Sequence, residues 1–241
     1  RARKDAYWKA NKDFFCNFAS RAQKKDLTPY LMAIAKENCI DGYMLRAGDA
    51  VNFSIGQGDT LVSPLQLATM YAAIANGGTL WRPWIARAIV NPNGKILKEF
   101  SSQEIGKTEQ TKADTEFLHR ALRSVATNGT AAPVFSNFPV QVAGKTGTAQ
   151  DLGRNKNGSA KDDTSWFASF APADSPQYAV VMVVSQGGFG ASVSAVGVKD
   201  IYSALFGVVG GKVDPTKSAF PNGIPTNLPK LDVKNAKLEN K

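Results

Sequence analysis

Histidine and cysteine are scarce in this chain, and their scarcity excludes several kinds of active site. His119 is the only histidine among the 241 residues, and the two cysteines, Cys16 and Cys39, lie far from it in sequence. A tetrahedral zinc site needs four such ligands close together, so the sequence predicts no metal centre and no cofactor. His119 borders the apolar side of a predicted helix, which favours a structural role over a catalytic one.

Long apolar segments and nucleotide-binding motifs are also missing. No uninterrupted apolar run reaches about 18 residues, so the sequence predicts no segment that spans a bilayer. The first residues are charged and aromatic, without the apolar core expected of a signal peptide. Residues 185–190 are rich in glycine, but they lack the G-x-G-x-x-G spacing of a dinucleotide site. We interpret them as a strand-to-helix loop at the rim of a cleft.

The net charge of +9 does not indicate nucleic-acid binding. Residues 1–46 hold ten Lys/Arg and five Asp/Glu, and residues 212–241 hold six and three, so the remaining residues carry only +1. A nucleic-acid binder usually concentrates basic and aromatic residues on one element, whereas acidic residues interrupt the basic ones here. We interpret the charge as solvated, with some attraction to anionic wall polymers or lipid headgroups.

The most informative segment that is present covers residues 142–150, which read Val-Ala-Gly-Lys-Thr-Gly-Thr-Ala-Gln. An apolar lead-in followed by Lys145, Thr146, Gly147 and Thr148 predicts a strand with a cation, two hydroxyls and a glycine at one end. The ammonium attracts a carboxylate, the hydroxyls orient it, and the glycine lets a ligand backbone approach closely. The sequence therefore predicts a site for an anionic substrate on this strand.

Lys-Thr-Gly also resembles the third signature of the penicillin-binding proteins and serine β-lactamases. Residues 163–172 resemble the strand that follows this signature in the family, and residues 128–132 resemble the Gly-Thr-Ala segment that precedes it. Residues 54–78 are similar to the Gly-Gln-Gly loop and helix of class B members. The resemblance covers residues 49–207. Within the family, the sequences of these segments most resemble elongation-type penicillin-binding protein 2 of actinobacterial kind.

Two other signatures of the family are absent from the sequence. The family's nucleophile is the serine of a Ser-x-x-Lys motif, and its second motif is Ser-x-Asn or Ser-x-Asp. No serine from Ser20 to Ser218 has Lys three positions later, or Asn or Asp two positions later. Both motifs precede the Gly-Gln-Gly segment in the family. The resemblance therefore implies the C-terminal half of a transpeptidase domain, completed by an N-terminal half that this sequence lacks.

The resemblance implies roles for the predicted site residues. Lys145 and the hydroxyls of Thr146 and Thr148 are expected to hold the carboxylate of the donor peptide, with the Thr148 backbone N–H as an oxyanion donor. Trp166 is a candidate for lining the acceptor cleft, and packing between sheet and helix is the alternative. Gln57 is a candidate for substrate contact, although the glycines on both sides of it favour a tight structural loop.

The two cysteines are expected to form a disulfide because the resemblance implies an extracytoplasmic domain. The alternative is a pair of unpaired buried thiols. Cys16 and Cys39 are 23 positions apart, and a crosslink closing a loop of that length stabilises a fold by about 3 kcal/mol in the chain-entropy model.

The predicted fold class is α+β, an antiparallel sheet covered by helices as in part of the penicillin-binding transpeptidase and serine β-lactamase fold. Residues 1–48 are interpreted as an insertion or loop segment packed on the domain, 49–211 as the C-terminal part of the transpeptidase domain, and 212–241 as a linker or disordered tail. Strands are predicted over 139–149, 163–171 and 177–185, helices over 26–36, 64–75, 117–125 and 193–207, and a hairpin over 79–100 with its turn at 91–94.

The implied function is that of a peptidoglycan D,D-transpeptidase, which crosslinks stem peptides through a serine acyl-enzyme and is a target of β-lactams. The implied partners are stem peptides, β-lactams, the missing half of the domain and the cell-wall elongation machinery, at the outer face of a membrane that holds a helical anchor outside this sequence. Two alternatives share the fold: a β-lactam sensor or wall-binding module, and a D,D-carboxypeptidase or β-lactamase that deacylates with water. The Gly-Gln-Gly segment favours the class B transpeptidase.

Overall fold

The computed structural model describes residues 2–21, 29–58, 62–150 and 155–223, and its contacts divide the chain into two compact units. The first unit comprises residues 1–61 and the second residues 62–241. The division lies thirteen residues beyond the boundary predicted after residue 48.

The first unit is helical, with α1 (Ala2–Arg21), α2 (Pro29–Asp41) and α3 (Ala47–Ser54). The described part of the predicted insertion or loop segment, residues 1–48, is thus mainly helical. The helix predicted at 26–36 is present from Pro29 onward, and its first three residues lie outside the described part of the chain. α1 and α2 are joined by a few contacts of large side chains and not by a continuous apolar stripe. The periodic spacing of apolar residues along the sequence does not reveal contacts of this kind.

Trp8 and a disulfide connect α1 with the α2 region. The buried Trp8 donates its indole N–H to the Asn38 carbonyl oxygen at 2.8 Å, and its ring lies 5.1 Å from that of Tyr43. A disulfide joins Cys16 to Cys39, with 4.6 Å between their Cα atoms. The helix pair is thus fastened both by an aromatic contact and by a covalent bond.

The second unit consists of a central three-stranded sheet, flanking helices and three small two-stranded sheets. Its helices are α4 (Pro64–Ala75), α5 (Lys112–Thr127), α6 (Ala132–Phe135) and α7 (Ser194–Phe206). Its strands are β1 (Thr79–Trp81), β2 (Ala88–Val90), β3 (Ile96–Glu99), β4 (Glu104–Lys107), β5 (Ala143–Ala149), β6 (Thr164–Ala171), β7 (Tyr178–Val184), β8 (Val208–Val209) and β9 (Lys212–Val213).

Capping boxes begin two of these helices. Ser63 and Gln66 satisfy each other's backbone N–H groups at the start of α4, where Pro64 occupies the first turn, as the sequence predicts. Thr111 and Asp114 form the same arrangement at the start of α5, which the sequence analysis did not identify. The two hydrogen bonds from Thr111 hold the pKa of the Asp114 carboxyl below its usual value.

The central sheet is antiparallel, with strand order β5-β6-β7. Successive side chains of β6 point to opposite faces of the sheet. Ala168 and Phe170 pack with α4 on one face, and Phe167 packs on the other face in the core that includes Val198 and Tyr202 of α7. The α+β prediction is confirmed, and the first face is called the α4 face below and the second the α7 face.

The predicted hairpin is only partly present. β2 and β3 pair across the turn at residues 91–94, where the Asn91 N–H donates to the Lys95 carbonyl oxygen at 2.9 Å. Residues 79–90 do not form one strand, because β1 pairs instead with β4. Pro83, which lacks a backbone N–H, follows β1 and cannot extend a ladder.

Residues 212–223, the described part of the predicted linker or disordered tail, are hydrogen-bonded to the end of α7. β9 pairs with β8, and the Asp214 and Ala219 N–H groups donate at 2.8 Å to the carbonyl oxygens of Gly207 and Ala204. The polar composition reflects exposed side chains, while backbone hydrogen bonds hold this segment to the end of α7. Residues 224–241 lie outside the described residues. None of the helices described is long and apolar enough to cross a membrane.

Candidate active site on strand β5

The predicted site lies on an edge strand. β5 pairs with β6, and no other described strand pairs with its second edge. An unpaired edge offers a row of backbone N–H and C=O groups to an extended ligand. The four predicted residues, Lys145 to Thr148, occupy the middle and end of this strand, where Lys145 is exposed and the other three are half-buried.

The cation and the hydroxyls lie on opposite sides of this edge strand. Lys145 is opposite Ala168 of β6 and therefore shares the α4 face, whereas Thr146 and Thr148 are opposite Phe167 and Ser165 and share the α7 face. A ligand lying along the open edge therefore has the ammonium on one side and two hydroxyls on the other. This arrangement suits a carboxylate group.

Lys145 is held by its own strand. Its Nζ donates to the Thr146 carbonyl oxygen at 2.8 Å. Among the ion pairs between described residues, none involves Lys145. A lysine with this local bond still has two N–H donors for an anionic ligand, since an ammonium has three.

The hydroxyls of Thr146 and Thr148 contact different segments. The Thr146 Oγ1 lies 2.8 Å from the Oγ1 of Thr130, which precedes α6. The Thr148 Oγ1 accepts a hydrogen bond of 3.4 Å from the backbone N–H of Gly190 in the loop between β7 and α7. No sequence pattern indicates a role for Thr130 or Gly190, although both lie in segments that are distinctive in the sequence.

Gly147 and Trp166 are directly opposite each other in the sheet. A Cβ atom at Gly147 would lie 3.1 Å from the Trp166 Cβ, closer than most such contacts, so the glycine allows this approach. The Trp166 side chain is half-buried on the α4 face, the face that also carries Lys145. Its predicted contact with an acceptor remains a prediction.

Gln57 belongs to the first unit. Its backbone N–H donates to the Asn52 carbonyl oxygen at 2.9 Å, and Gly56 and Gly58 beside it adopt φ values of 77° and 94°. Such left-handed conformations favour glycine, in keeping with a tight loop. The predicted contact between Gln57 and substrate stays a prediction.

His119 makes packing contacts within the second unit. Its Nε2 lies 3.1 Å from the Ile74 carbonyl oxygen, and its ring lies 4.7 Å from that of Phe170 on the α4 face. These contacts join α5 to the end of α4 and to the sheet, which agrees with the structural role favoured by the sequence. Within the described ranges, no group of three or more His, Cys, Asp or Glu residues could hold a metal ion.

The sequence matches one known protein family over most of its length. A family model described as the penicillin binding protein transpeptidase domain matches residues 33–203, about seven-tenths of the chain. The chain belongs to this family. The match begins within the helical first unit and ends within α7, so this penicillin-binding transpeptidase segment includes the whole β5 site.

Individual relatives agree with the class B resemblance. Peptidoglycan D,D-transpeptidase MrdA of Haemophilus influenzae is 31% identical over 160 residues, which cover 61% of this chain and 24% of the relative. A crystal structure of Pseudomonas aeruginosa PBP2 in complex with WCK 5153 is 30% identical, with a TM-score of 0.57, and the match covers 74% of this chain and 37% of that one.

A third relative is a penicillin-binding protein A from M. tuberculosis in an imipenem acyl-enzyme complex. It is 28% identical, with a TM-score of 0.53, and the match covers 66% of this chain and 34% of that one. The chain thus spans about a fifth to a quarter of the length of the curated relatives it matches. This penicillin-binding transpeptidase segment is therefore a part of the domain found in its relatives.

Proposed function

We propose that this chain is the carboxylate-binding and oxyanion-stabilising part of a peptidoglycan D,D-transpeptidase. The observation that carries the proposal is the open edge of β5, where Lys145 faces one side and the hydroxyls of Thr146 and Thr148 face the other. Family membership and the name of the MrdA relative support the reaction class. An acyl-enzyme in the imipenem complex of a relative supports covalent catalysis.

The proposed reaction is acyl transfer. A serine outside this chain attacks the penultimate carbonyl of a D-Ala-D-Ala stem, the terminal D-Ala leaves as the amine, and an amine of a second stem then displaces the serine oxygen to form the crosslink. Strand β5 contributes electrostatic stabilisation to this reaction. Lys145 and the threonine hydroxyls bind the terminal carboxylate of the donor, and the Thr148 N–H donates to the oxyanion of each tetrahedral intermediate.

The edge position of β5 explains why these groups can act together. An extended donor peptide that aligns with the open edge gains backbone hydrogen bonds from the strand itself. The same alignment brings the carboxylate between the ammonium and the hydroxyls. β-Lactams carry a carboxylate beside a reactive carbonyl, so the same contacts are proposed to bind them.

The proposal is tested by acylation of the full-length protein with labelled penicillin. Lys145→Ala is expected to lower the second-order rate constant of acylation by about 10²-fold or more, because the carboxylate loses its cation in a partly desolvated site. Lys107→Ala is the matched control, since it removes another exposed lysine from a strand of the same unit. Near-normal labelling of the Lys145→Ala protein would contradict the proposed carboxylate-binding role of Lys145.

A second assay separates transpeptidation from hydrolysis. With a D-Ala-D-Ala stem peptide and an amine acceptor, we expect the wild-type protein to form the crosslinked peptide as the main product. Product cleaved by water at a similar or higher rate, without crosslinking, would favour the D,D-carboxypeptidase alternative. Binding of penicillin without turnover of either substrate would favour the sensor alternative.

We further propose that the parent protein is held at the extracytoplasmic face of the cell membrane by a helix outside this chain and works with the elongation machinery. The support is the resemblance to elongation-type penicillin-binding protein 2, together with the disulfide between Cys16 and Cys39, which suits an oxidising compartment. A fluorescent fusion of the parent protein is expected at sites of wall elongation. Its confinement to the division septum would contradict the assignment to elongation.

A further inference from the structure

The loop between β7 and α7, residues 185–193, lies against the predicted site although none of its residues was assigned a role. Its Gly188 N–H donates to the Asp163 carbonyl oxygen at 2.8 Å, just before β6 begins. Its Gly190 N–H donates to the Thr148 hydroxyl oxygen at 3.4 Å. The loop therefore crosses the ends of β6 and β5 where the Lys-Thr-Gly-Thr segment lies.

Gly190 is in close contact with the backbone of both strands. It is buried, and a Cβ atom at this position would overlap the carbonyl oxygens of Gly147 and Trp166 and would lie 3.0 Å from the Gly147 nitrogen. Its φ lies outside the left-handed region, so the backbone conformation does not require glycine. The requirement is space: the Gly190 Cα packs directly on the peptide groups of the strand that carries the site.

Two buried serines hold the loop on both sides of Gly190. The Ser165 hydroxyl donates to the Phe189 carbonyl oxygen at 3.2 Å, lies 2.8 Å from the Ser194 hydroxyl and accepts from the Ser194 N–H at 3.2 Å. Ser165 and Ser194 are both fully buried. Ser165 is also the residue opposite Thr148 in the sheet. One side chain thus fixes the loop at the strand position that faces the proposed oxyanion donor.

We propose that Gly190 and Ser165 are positioning residues for the acyl-transfer site: Gly190 fixes the Gly147 backbone and the Thr148 hydroxyl, and Ser165 fixes the loop that carries Gly190. This inference rests on the proposed function. An N–H can only donate, so the Thr148 oxygen is the acceptor in its bond to Gly190.

The experiment compares acid and ester probes on the full-length protein. Acylation rate constants are measured with labelled benzylpenicillin and with its methyl ester, which keeps the β-lactam but lacks the carboxylate. The variants are Gly190→Ala and Ser165→Ala. Gly106→Ala is the control for the glycine change, because an added Cβ there meets only the Leu80 side chain at 3.8 Å.

Ser169→Ala is the matched control for Ser165→Ala. Ser169 is also fully buried on the α7 face of β6, and its hydroxyl bonds the Val180 carbonyl oxygen and the Tyr202 hydroxyl instead of the loop. The Ser165 hydroxyl makes three hydrogen bonds and the Ser169 hydroxyl makes two, so both variants are expected to lose Tm, Ser165→Ala at least as much as Ser169→Ala. A purely structural role of Ser165 would give both variants the same acylation behaviour.

In Gly190→Ala we expect acylation by the acid to fall roughly 10²-fold, because a displacement of about 1 Å in a catalytic group has an effect of that size. Acylation by the ester is expected to fall much less, so the acid-to-ester ratio drops about tenfold, and Ser165→Ala is expected to lower the ratio in the same direction. The two controls are expected to keep the wild-type ratio. Ser165→Ala carries the test alone if Gly190→Ala does not fold.

The outcomes separate the two proposals. If the wild-type protein is acylated but Gly190→Ala and Ser165→Ala keep its acid-to-ester ratio, the positioning proposal is overturned and the proposed function stands. If Ser169→Ala lowers the ratio as much as Ser165→Ala, the effect is one of general stability and the positioning proposal is again overturned. If the wild-type protein reacts with neither probe, the proposed function fails and the inference fails with it.

Discussion

At the scale of single residues, the candidate site depends on side chains that are supported by more distant ones. Lys145 is held by its neighbour's carbonyl oxygen, whereas Thr146 and Thr148 contact Thr130 and Gly190. These contacts restrict the positions of the side chains before any ligand arrives. Pre-orientation of this kind reduces the rearrangement needed when charge develops in a transition state.

The contact between the two threonine hydroxyls leads to a prediction for Thr130. Thr130→Val keeps the shape of the side chain but removes the hydroxyl 2.8 Å from that of Thr146. Loss of one hydrogen bond is worth about 1 kcal/mol, so we expect acylation of the full-length protein by penicillin to slow roughly fivefold. Thr127→Val, at the end of α5, is the control. Equal rates for the two variants would argue against a role for Thr130.

At the scale of elements, helix α5 and the α1–α2 pair depend on stabilising features that differ in kind. The capping box of α5 is electrostatic and involves only the Thr111–Asp114 pair, so it forms wherever that turn forms. The α1–α2 pair depends on a disulfide and on the contacts of Trp8. The first device responds to pH and the second to reducing conditions.

The lowered pKa of Asp114 predicts a pH-dependent contribution to the stability of α5. A carboxyl whose pKa is lower in the folded state stabilises the fold above its unfolded pKa, near 3.8, and this contribution is lost as pH falls through the folded value. Asp114→Asn is therefore expected to lower Tm at neutral pH, and the difference from wild type is expected to shrink as pH falls below 3.8 and through the folded pKa.

The control for this experiment is Glu116→Gln, which removes a carboxylate from an exposed position of the same helix. We expect it to change Tm less than Asp114→Asn does at neutral pH. Thermal unfolding of the full-length protein followed by circular dichroism provides the measurement. A Tm difference for Asp114→Asn that is the same at neutral and acidic pH would rule out the carboxylate cap as its cause.

The disulfide predicts that the helix pair of the first unit loosens on reduction. The double variant Cys16→Ser, Cys39→Ser is expected to lose about 3 kcal/mol of unfolding free energy, because the crosslink closes a loop of about that separation. Alkylation followed by intact-mass analysis is expected to label no thiol before reduction and both thiols after it. Treatment of the double variant with reductant serves as control. Two alkylated thiols in the folded, unreduced protein would contradict the crosslink.

At the scale of the whole molecule, we propose that the chain forms the carboxylate side of a site, and no serine of its sequence stands in a Ser-x-x-Lys motif. Oxyanion donors and a carboxylate clamp stabilise a transition state, but they cannot supply the covalent bond. Three serines of the second unit, Ser165, Ser169 and Ser194, are fully buried. The hydroxyls of Ser165 and Ser194 hydrogen-bond to each other and that of Ser169 bonds to Tyr202, so none of these contacts involves a lysine. The nucleophile is therefore expected elsewhere in the protein.

This division predicts that residues 1–241 alone are not labelled by penicillin under conditions that label the full-length protein. The isolated chain is also expected to be poorly soluble, because β5 lacks a partner on one edge among the described strands and large apolar side chains such as Phe117 are exposed. Fluorescent penicillin labelling followed by peptide mapping tests the first point. A stoichiometric, hydroxylamine-sensitive adduct on any serine of this chain would show that the nucleophile had been misplaced.

Local patterns were enough to predict much of this protein. The Lys-Thr-Gly-Thr strand, the capping box of α4, the last helix and the antiparallel sheet follow from residues that are close in sequence. Those signals are short-ranged, because hydrogen bonds within a helix turn and alternation along a strand involve neighbouring residues. The resemblance to the penicillin-binding proteins likewise rests on short motifs and on their order along the chain.

Only the tertiary structure identified the residues that support the site. Thr130 is 16 positions from Thr146, Ser165 is 24 from Phe189, and Gly190 is 42 from Thr148, so no local pattern relates them. The same holds for the contact between α1 and α2, where Trp8 and Asn38 meet across 30 positions. Sequence determined which groups could bind an anion, while packing between distant segments decided how those groups are held, since contact across such separations exists only once the chain has folded.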